Sequence, residues 1–367
     1  MRIGVLTSSR ADYGIYLPLL NQLKEDAFFE LEVIAFGTHL SKFHGYTVDQ
    51  IEKDSYSKIH KISSLISNDD EQAISSSYAL TALKFADFWA NHKFDLVFCL
   101  GDRFEMNAAV QAGIPFRVNF IHLYGGDTTL GAIDDIYRHQ ITLASKIHFT
   151  ATEEHKEKVK QITGKNEDIY AVGSLSLDEM INYTPIQKDI FYQKYDIPEG
   201  DYVLITFHPE TIAISQNQQY SQEMKNALES LSKRISLVIT MPNADTLGSV
   251  YRKELENLQK ENLSTVRLIE NFGKENYFSA MFYARFLLGN TSSGIVEAAS
   301  FNKYVINVGD RQKGRAQSKN TFNVKFDSTE IFQQSIEVLN LEKYDGENIY
   351  YRENVAQSII QIIKEHA

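Results

Sequence analysis

LLGNTSSGIVEAASFNKYVINVGDRQKGR, residues 287–315, reads as a strand, a tight turn, a helix, a second strand and a basic loop. Phe286–Leu288 is short and apolar. Gly289-Asn290-Thr291-Ser292-Ser293-Gly294 is a turn of small polar residues, and a helix is expected from Ile295 with Glu297 in its first turn. Strand, crossover helix and strand in that order imply a parallel sheet. The turn would aim backbone N–H groups and the hydroxyls of Thr291, Ser292 and Ser293 at one spot, where a helix start favours an anion. Alone, it is equally an ordinary connection into a capped helix. Arg311, Lys313 and Arg315 follow in the loop after the next strand, and forked donors of this kind hold phosphate oxygens bidentately. Turn and loop together point to a diphosphate site.

The same grammar runs outward in both directions. Apolar strand-like runs at 2–7, 31–37, 95–101, 118–123, 146–151 and 169–173 alternate with helical patterns at 15–25, 71–91, 103–112 and 153–162. A second set of strands at 202–207, 236–241, 266–269, 286–289 and 304–309 alternates with helical patterns at 218–233, 249–260, 275–284 and 294–301. Continuous apolar strands with crossover helices mean parallel sheets covered on both faces. The expected fold is α/β: two doubly wound domains facing a cleft, joined near the polar stretch 182–200. A chain of 367 residues is also long for a single core.

Composition narrows the partners. A hydrophobic share of 43% with 23% charged residues is ordinary for a soluble globular chain. A formal charge of −11 with no long basic run argues against a nucleic-acid surface. No segment is long and apolar enough to span a membrane, and Met1–Leu6 reads as a strand rather than a leader, so a cytoplasmic protein is expected. One cysteine, Cys99 in the apolar run LVFCL, excludes disulfides and cysteine metal sites.

Polar residues gather where the strands finish, the edge at which doubly wound sheets bind ligands. Ser8-Ser9-Arg10-Ala11-Asp12-Tyr13-Gly14 follows the first strand, and Gly101-Asp102-Arg103 follows 95–100. His122-Leu123-Tyr124-Gly125-Gly126-Asp127 and a loop containing Asp134, Arg138 and His139 come next; His208-Pro209-Glu210 and Pro242-Asn243-Ala244-Asp245 end two strands of the second half. Any one of these acids could be a helix cap. Four such loops in one half are harder to dismiss. No G-x-G-x-x-G follows a strand, and P-loop, H-E-x-x-H and G-x-S-x-G patterns are absent, so no nicotinamide, flavin or metal is expected.

Taken together, SSRADYG, GTHLSKFHGYTVDQIEKD (37–54), GDRFE, HLYGGDTTLGAIDDIYRH, HPET, PNAD, GNTSSGIVEA and GDRQKGR resemble the hydrolysing UDP-N-acetylglucosamine 2-epimerases, in order from residue 8 to 315. The resemblance implies two Rossmann-like domains in the GT-B arrangement, residues 1–180 with a returning C-terminal helix in 350–367, and residues 181–349. It implies expulsion of UDP by anti elimination to a 2-acetamidoglucal, then hydration to N-acetylmannosamine, without a cofactor. Arg10, His208, Asn290, Thr291, Ser292, Ser293, Arg311 and Arg315 would serve the diphosphate, Glu297 the ribose and Tyr277 the uracil. Asn243 would line the substrate cleft. Asp102 and Asp134 would be catalytic, with Arg103, Arg138 and His139 flanking the sugar. A UDP-sugar would be the ligand, and a homodimer or homotetramer the assembly.

One departure stands out. Many members read H-[IV]-E-G-G-E where this chain has His122-Leu123-Tyr124-Gly125-Gly126-Asp127, so Tyr124 stands for a glutamate and Asp127 for a longer acid. A phenol is a poor base near neutral pH. Asp127 or Asp134 takes over the role, the sugar differs at C4 and C6, or the activity is lost. Relatives altered here act on UDP-2,4-diacetamido-2,4,6-trideoxyglucose. A GT-B glycosyltransferase is the competing class; it needs an acceptor, whereas the GAIDD…RH segment favours the epimerase. A non-catalytic sugar-nucleotide binder is the third reading.

Overall fold

The computed structural model describes residues 1–366 apart from 43–45, 67–69, 131–132, 211–213 and 243–247. The chain divides into two units: Met1–Asp127, Ile133–Ile181 and Tyr350–Ala367 form one, and Thr128–Ala132 with Asn182–Ile349 the other. Each is built on a parallel sheet.

In the first unit β1 (Arg2–Thr7), β2 (Glu30–Phe36), β3 (Lys58–Ile62), β4 (Leu96–Leu100), β5 (Phe120–Leu123), β6 (Ser145–Thr150) and β7 (Ile169–Ala171) lie in the order β3-β2-β1-β4-β5-β6-β7, all parallel. In the second unit β8 (Tyr202–Thr206), β9 (Ser236–Thr240), β10 (Val266–Ile269), β11 (Leu287–Gly289), β12 (Val305–Val308) and β13 (Thr321–Val324) take the order β10-β9-β8-β11-β12-β13, again all parallel. Both sheets reverse direction of growth once, between β1 and β4 and between β8 and β11. Loops leaving the carboxyl ends of strands at such a switch point diverge and leave a crevice, which is where ligands bind.

The strands read as unbroken apolar runs because both faces are covered. Ile3, Val5, Val33, Phe98 and Ile121 pack under Tyr16, Leu19, Leu20 and Leu23 of the helix Arg10–Glu25. Leu6, Ile34, Val97 and Phe120 meet Phe85, Trp89, Met106 and Val110 on the other face. The helix Val355–Glu365 adds Val355, Ile359 and Ile363 to the first of these cores, so the chain's end belongs to the first unit. Asp178 fixes the start of that helix by accepting from the Val355 N–H at 2.5 Å.

Several elements differ from the sequence reading. β3 and β13 are edge strands, half exposed and alternating in polarity (KIHKI, TFNV), so no continuous apolar run marks them. The Asp134–His139 part of the GAIDD…RH segment is not a loop: Asp134–Ala144 is a helix. The polar stretch 182–200 is not a bare linker either. It carries the helix Lys188–Lys194, whose Phe191 ring stacks on Phe272 and meets Tyr283, inside the second unit.

Three buried histidines make stability depend on pH. Burial, the largest cause in each, lowers His122 and His208 to about 3 and His148 to about 4. Unfolding returns them to an ordinary value near 6.5, so the unfolded chain binds protons that the folded chain does not. Their stabilising contribution is complete above about pH 6.5 and is lost as pH falls toward 4. The melting temperature should therefore drop steadily on acidification from neutral pH to about pH 4.5; a rise over that interval would contradict it.

Candidate active site

At the switch point of the first unit, β1 ends in the SSRAD turn. Ser9 caps the helix Arg10–Glu25, and Asp12 returns a bond to the Ser9 N–H at 3.0 Å, a reciprocal capping box. Asp12 is buried and also accepts from Ser8 N (2.8 Å), Ser8 Oγ (2.9 Å) and Thr7 Oγ1 (2.6 Å). Burial alone would raise its carboxyl, but the bonds from His39, Thr7 and Ser8 outweigh it and the net shift is downward. Asp12 is thus a structural carboxylate, and Arg10 stands exposed at the helix start.

Next to it, β4 and β5 deliver the acids. His122 bridges the turn after β4 and the helix Asp134–Ala144: Nε2 lies 2.9 Å from the Gly101 carbonyl and Nδ1 3.0 Å from Thr142 Oγ1. Arg138, 1% exposed, is the hub of the cluster. It pairs with Asp102, donates to Asp135 Oδ1 at 2.6 Å and donates to the Asp127 carbonyl at 2.8 Å. The Asp127 carboxylate lies 3.5 Å from His155 Nε2. Asp134 opens the helix Asp134–Ala144, half buried, one residue before Asp135. Arg103 forks onto the buried Glu105 at 2.9 and 3.2 Å. His139 turns elsewhere: its Nε2 is buried, and its titration is lowered first by burial.

Tyr124 occupies the glutamate position with a left-handed backbone (φ 66°), a conformation rarely taken by an aromatic residue. Its ring packs against the core of the first sheet, and its hydroxyl meets Ser174 Oγ at 2.8 Å and accepts from the Ser176 N–H at 3.4 Å. The phenol is therefore held by hydrogen bonds within the first unit.

In the second unit the switch point lies between β8 and β11. Gly289 ends β11 with φ 142°, and a Cβ there would sit 1.8 Å from the Thr206 carbonyl oxygen, so only glycine lets the strands approach this closely. Asn290 then clamps His208 from both sides: its Oδ1 accepts from His208 N at 2.7 Å and its Nδ2 donates to His208 O at 2.8 Å. Arg311 (3.1 Å) and Gln312 (2.9 Å) both donate to the Asn290 carbonyl. Four residues from three segments distant in sequence thus become one unit. His208 is pushed down to about 3 by burial and by Arg311, so it is neutral at physiological pH. Thr291 Oγ1 and Ser293 Oγ are 3.2 Å apart, and the Tyr277 hydroxyl reaches Ser293 Oγ at 2.8 Å.

Three details depart from the sequence reading. The helix opens at Ser292, not Ile295, and runs only to Val296, so Glu297 caps its end rather than sitting in its first turn. A helix this short carries little dipole. Lys313 turns to Asp310 at 3.2 Å, and Arg315 is half buried. Asn243 lies outside the described residues. Sequence reasoning missed Asp135, His155, Glu105, Gln312 and Glu210; His155, Gln312 and Glu210 act through partners from other elements, while Asp135 and Glu105 pair with arginines close by in sequence. Among the described residues no group of three or more His, Cys, Asp or Glu side chains could hold a metal, and no helix is long and apolar enough to cross a membrane.

Known proteins share this chain's sequence and architecture. The hydrolysing GDP/UDP-N,N'-diacetylbacillosamine 2-epimerase of Campylobacter jejuni is 33% identical over 87% of this chain and 83% of its own length. The hydrolysing UDP-N,N'-diacetylbacillosamine 2-epimerase of Legionella pneumophila is 31% identical over 99% and 95%. The crystal structure of the UDP-GlcNAc 2-epimerase of Neisseria meningitidis bound to UDP-GlcNAc superposes with a TM-score of 0.82 across the whole of both chains at 16% identity, which establishes the two-domain GT-B-like fold. A family model described as UDP-N-acetylglucosamine 2-epimerase matches residues 21–364, and with these relatives it shows that the chain belongs to the UDP-N-acetylglucosamine 2-epimerase family.

Proposed function

We propose that this chain is a hydrolysing 2-epimerase: it expels the nucleoside diphosphate from a UDP-linked 2-acetamido sugar by anti elimination and adds water to the resulting glycal, releasing the free 2-epimer. The observation that carries the reading is the His208–Asn290–Arg311 unit at the second switch point. It presents a neutral imidazole and a fixed guanidinium together, and those are the groups that stabilise a departing diphosphate. Elimination also needs a base for the C2 proton; Asp102 and Asp127 lie at Arg138 in the first unit, and Asp134 opens the helix that carries it. Glu297, Tyr277 and the 291–293 hydroxyls are assigned to the nucleoside and diphosphate. No cofactor enters this chemistry.

For the sugar, the Campylobacter and Legionella relatives favour N,N'-diacetylbacillosamine, the 2,4-diacetamido-2,4,6-trideoxy sugar, over N-acetylglucosamine. Tyr124 fits that preference, because an aromatic ring in place of a carboxylate makes the neighbourhood less polar, as the C6 methyl group requires. Parallel steady-state assays with the two UDP-sugars, and with GDP-linked diacetylbacillosamine, decide the matter. The expected kcat/KM ratio favours UDP-diacetylbacillosamine by tenfold or more, about 1.4 kcal/mol; a preference for UDP-GlcNAc would overturn the assignment. A cytoplasmic homo-oligomer is part of the proposal. Leu83 (69% exposed) and Leu143 (62%) on helices of the first unit are the suggested contacts, and sedimentation as a monomer would count against it.

A further inference from the structure

Glu210 follows two residues after His208 and is buried at 6% exposure. Its backbone is gripped by Asn217, whose Oδ1 accepts from Glu210 N at 2.9 Å and whose Nδ2 donates to Glu210 O at 2.9 Å. The Tyr251 hydroxyl steadies the same Asn217 Oδ1 at 3.2 Å. The 208–210 segment is thereby pinned by two asparagines, Asn290 at one end and Asn217 at the other. A carboxylate fixed this firmly is placed for a purpose, and its partner is the turn that carries Arg311.

Glu210 Oε1 accepts from the Asp310 N–H at 2.6 Å, and the Arg311 N–H also bonds to this carboxylate. Successive backbone N–H groups at a turn with a left-handed residue form a concave anion site. Gly309, with φ 78°, supplies that residue here, and a Cβ on it would stand 2.3 Å from Glu210 Oε1. The anion site is therefore filled from within the protein. A bound diphosphate cannot use these two N–H groups and must rely on the Arg311 guanidinium, whose direction depends on the turn beneath it.

We propose that Glu210 is a positioning residue for Arg311: by occupying the N–H groups of Asp310 and Arg311, its carboxylate fixes the turn that aims the guanidinium past the Asn290 carbonyl toward the diphosphate. This rests on the functional reading above, since it presumes that Arg311 meets a nucleoside diphosphate. Removing the carboxylate would leave both N–H groups available to the ligand or to water and let the turn relax. Shortening it by one methylene would leave it able to reach only one of them.

The test is calorimetric titration of UDP into the full-length protein and its Glu210→Ala, Glu210→Asp and Arg311→Ala variants, and into both double variants. Arg311→Ala and Glu210→Ala should each weaken UDP binding by about tenfold, and Glu210→Asp by about threefold. Because Glu210 acts through Arg311, each double variant should bind no more weakly than Arg311→Ala alone, which a merely structural loss of stability would not produce. If Glu210→Ala does not fold, as judged by its thermal melt, the Glu210→Asp pair decides. Unchanged affinity in the Glu210 variants, or losses that multiply in the double variants, would overturn the inference while leaving the functional reading intact. Wild-type protein that fails to bind UDP would overturn both.

Discussion

Replacing Asp102 or Asp134 by asparagine should lower the rate of UDP release by about a hundredfold or more, the usual contribution of a general acid or base, while Tyr124→Phe should keep most of it. The reasoning is geometric. Asp102 stands at the end of β4 and is paired with Arg138, and Asp134 opens the helix that brings Arg138 to it. Both variants keep size and shape and remove only the charge and basicity. Tyr124 points its hydroxyl at Ser174 and Ser176, so the phenylalanine variant loses internal hydrogen bonds and nothing the reaction uses. Asp127→Asn should fall between, because its carboxylate faces His155 while its carbonyl supports Arg138. The measurement is steady-state UDP release, with thermal melts to confirm folding. An inactive Tyr124→Phe beside an active Asp134→Asn would reverse the assignment and make the phenol the catalytic group.

Arg138→Leu should be the most damaging single substitution in the first unit. The guanidinium is buried and holds Asp102, Asp135 and the Asp127 carbonyl at once. Deleting one partner of a buried ion pair leaves the others charged and uncompensated, at a cost of about 3–5 kcal/mol. Asp102 is 30% exposed and can regain some water, which places the expected loss near the lower end. Activity should vanish with it, because the cluster no longer holds its acids together. Differential scanning calorimetry should show the first unit melting earlier than in the wild type, with the second unit unchanged. A variant with wild-type melting would show that Arg138 is not the hub described here.

What could be read in advance follows physical lines. Strands buried on both faces, such as Leu96–Leu100 and Tyr202–Thr206, announce themselves as apolar runs, and the turns after them as polar punctuation. Edge strands and the helix Asp134–Ala144, which opens on two aspartates, carry no such run. Asn290, His208 and Arg311 are each visible as motif residues, but their joining through the Asn290 side chain and carbonyl is not, because it depends on the adjacency of β8 and β11. Glu210 was hidden for the same reason. A lone acid after a strand looks like a helix cap until the loop carrying Asp310 is placed beside it.

The most direct test of the epimerase assignment is proton NMR of the protein incubated with UDP-N,N'-diacetylbacillosamine in deuterated water. Elimination followed by hydration predicts free UDP and a free sugar inverted at C2, with deuterium in place of the C2 proton. A sugar nucleotide left intact, or a free sugar that keeps its C2 proton and its original configuration, would contradict the account.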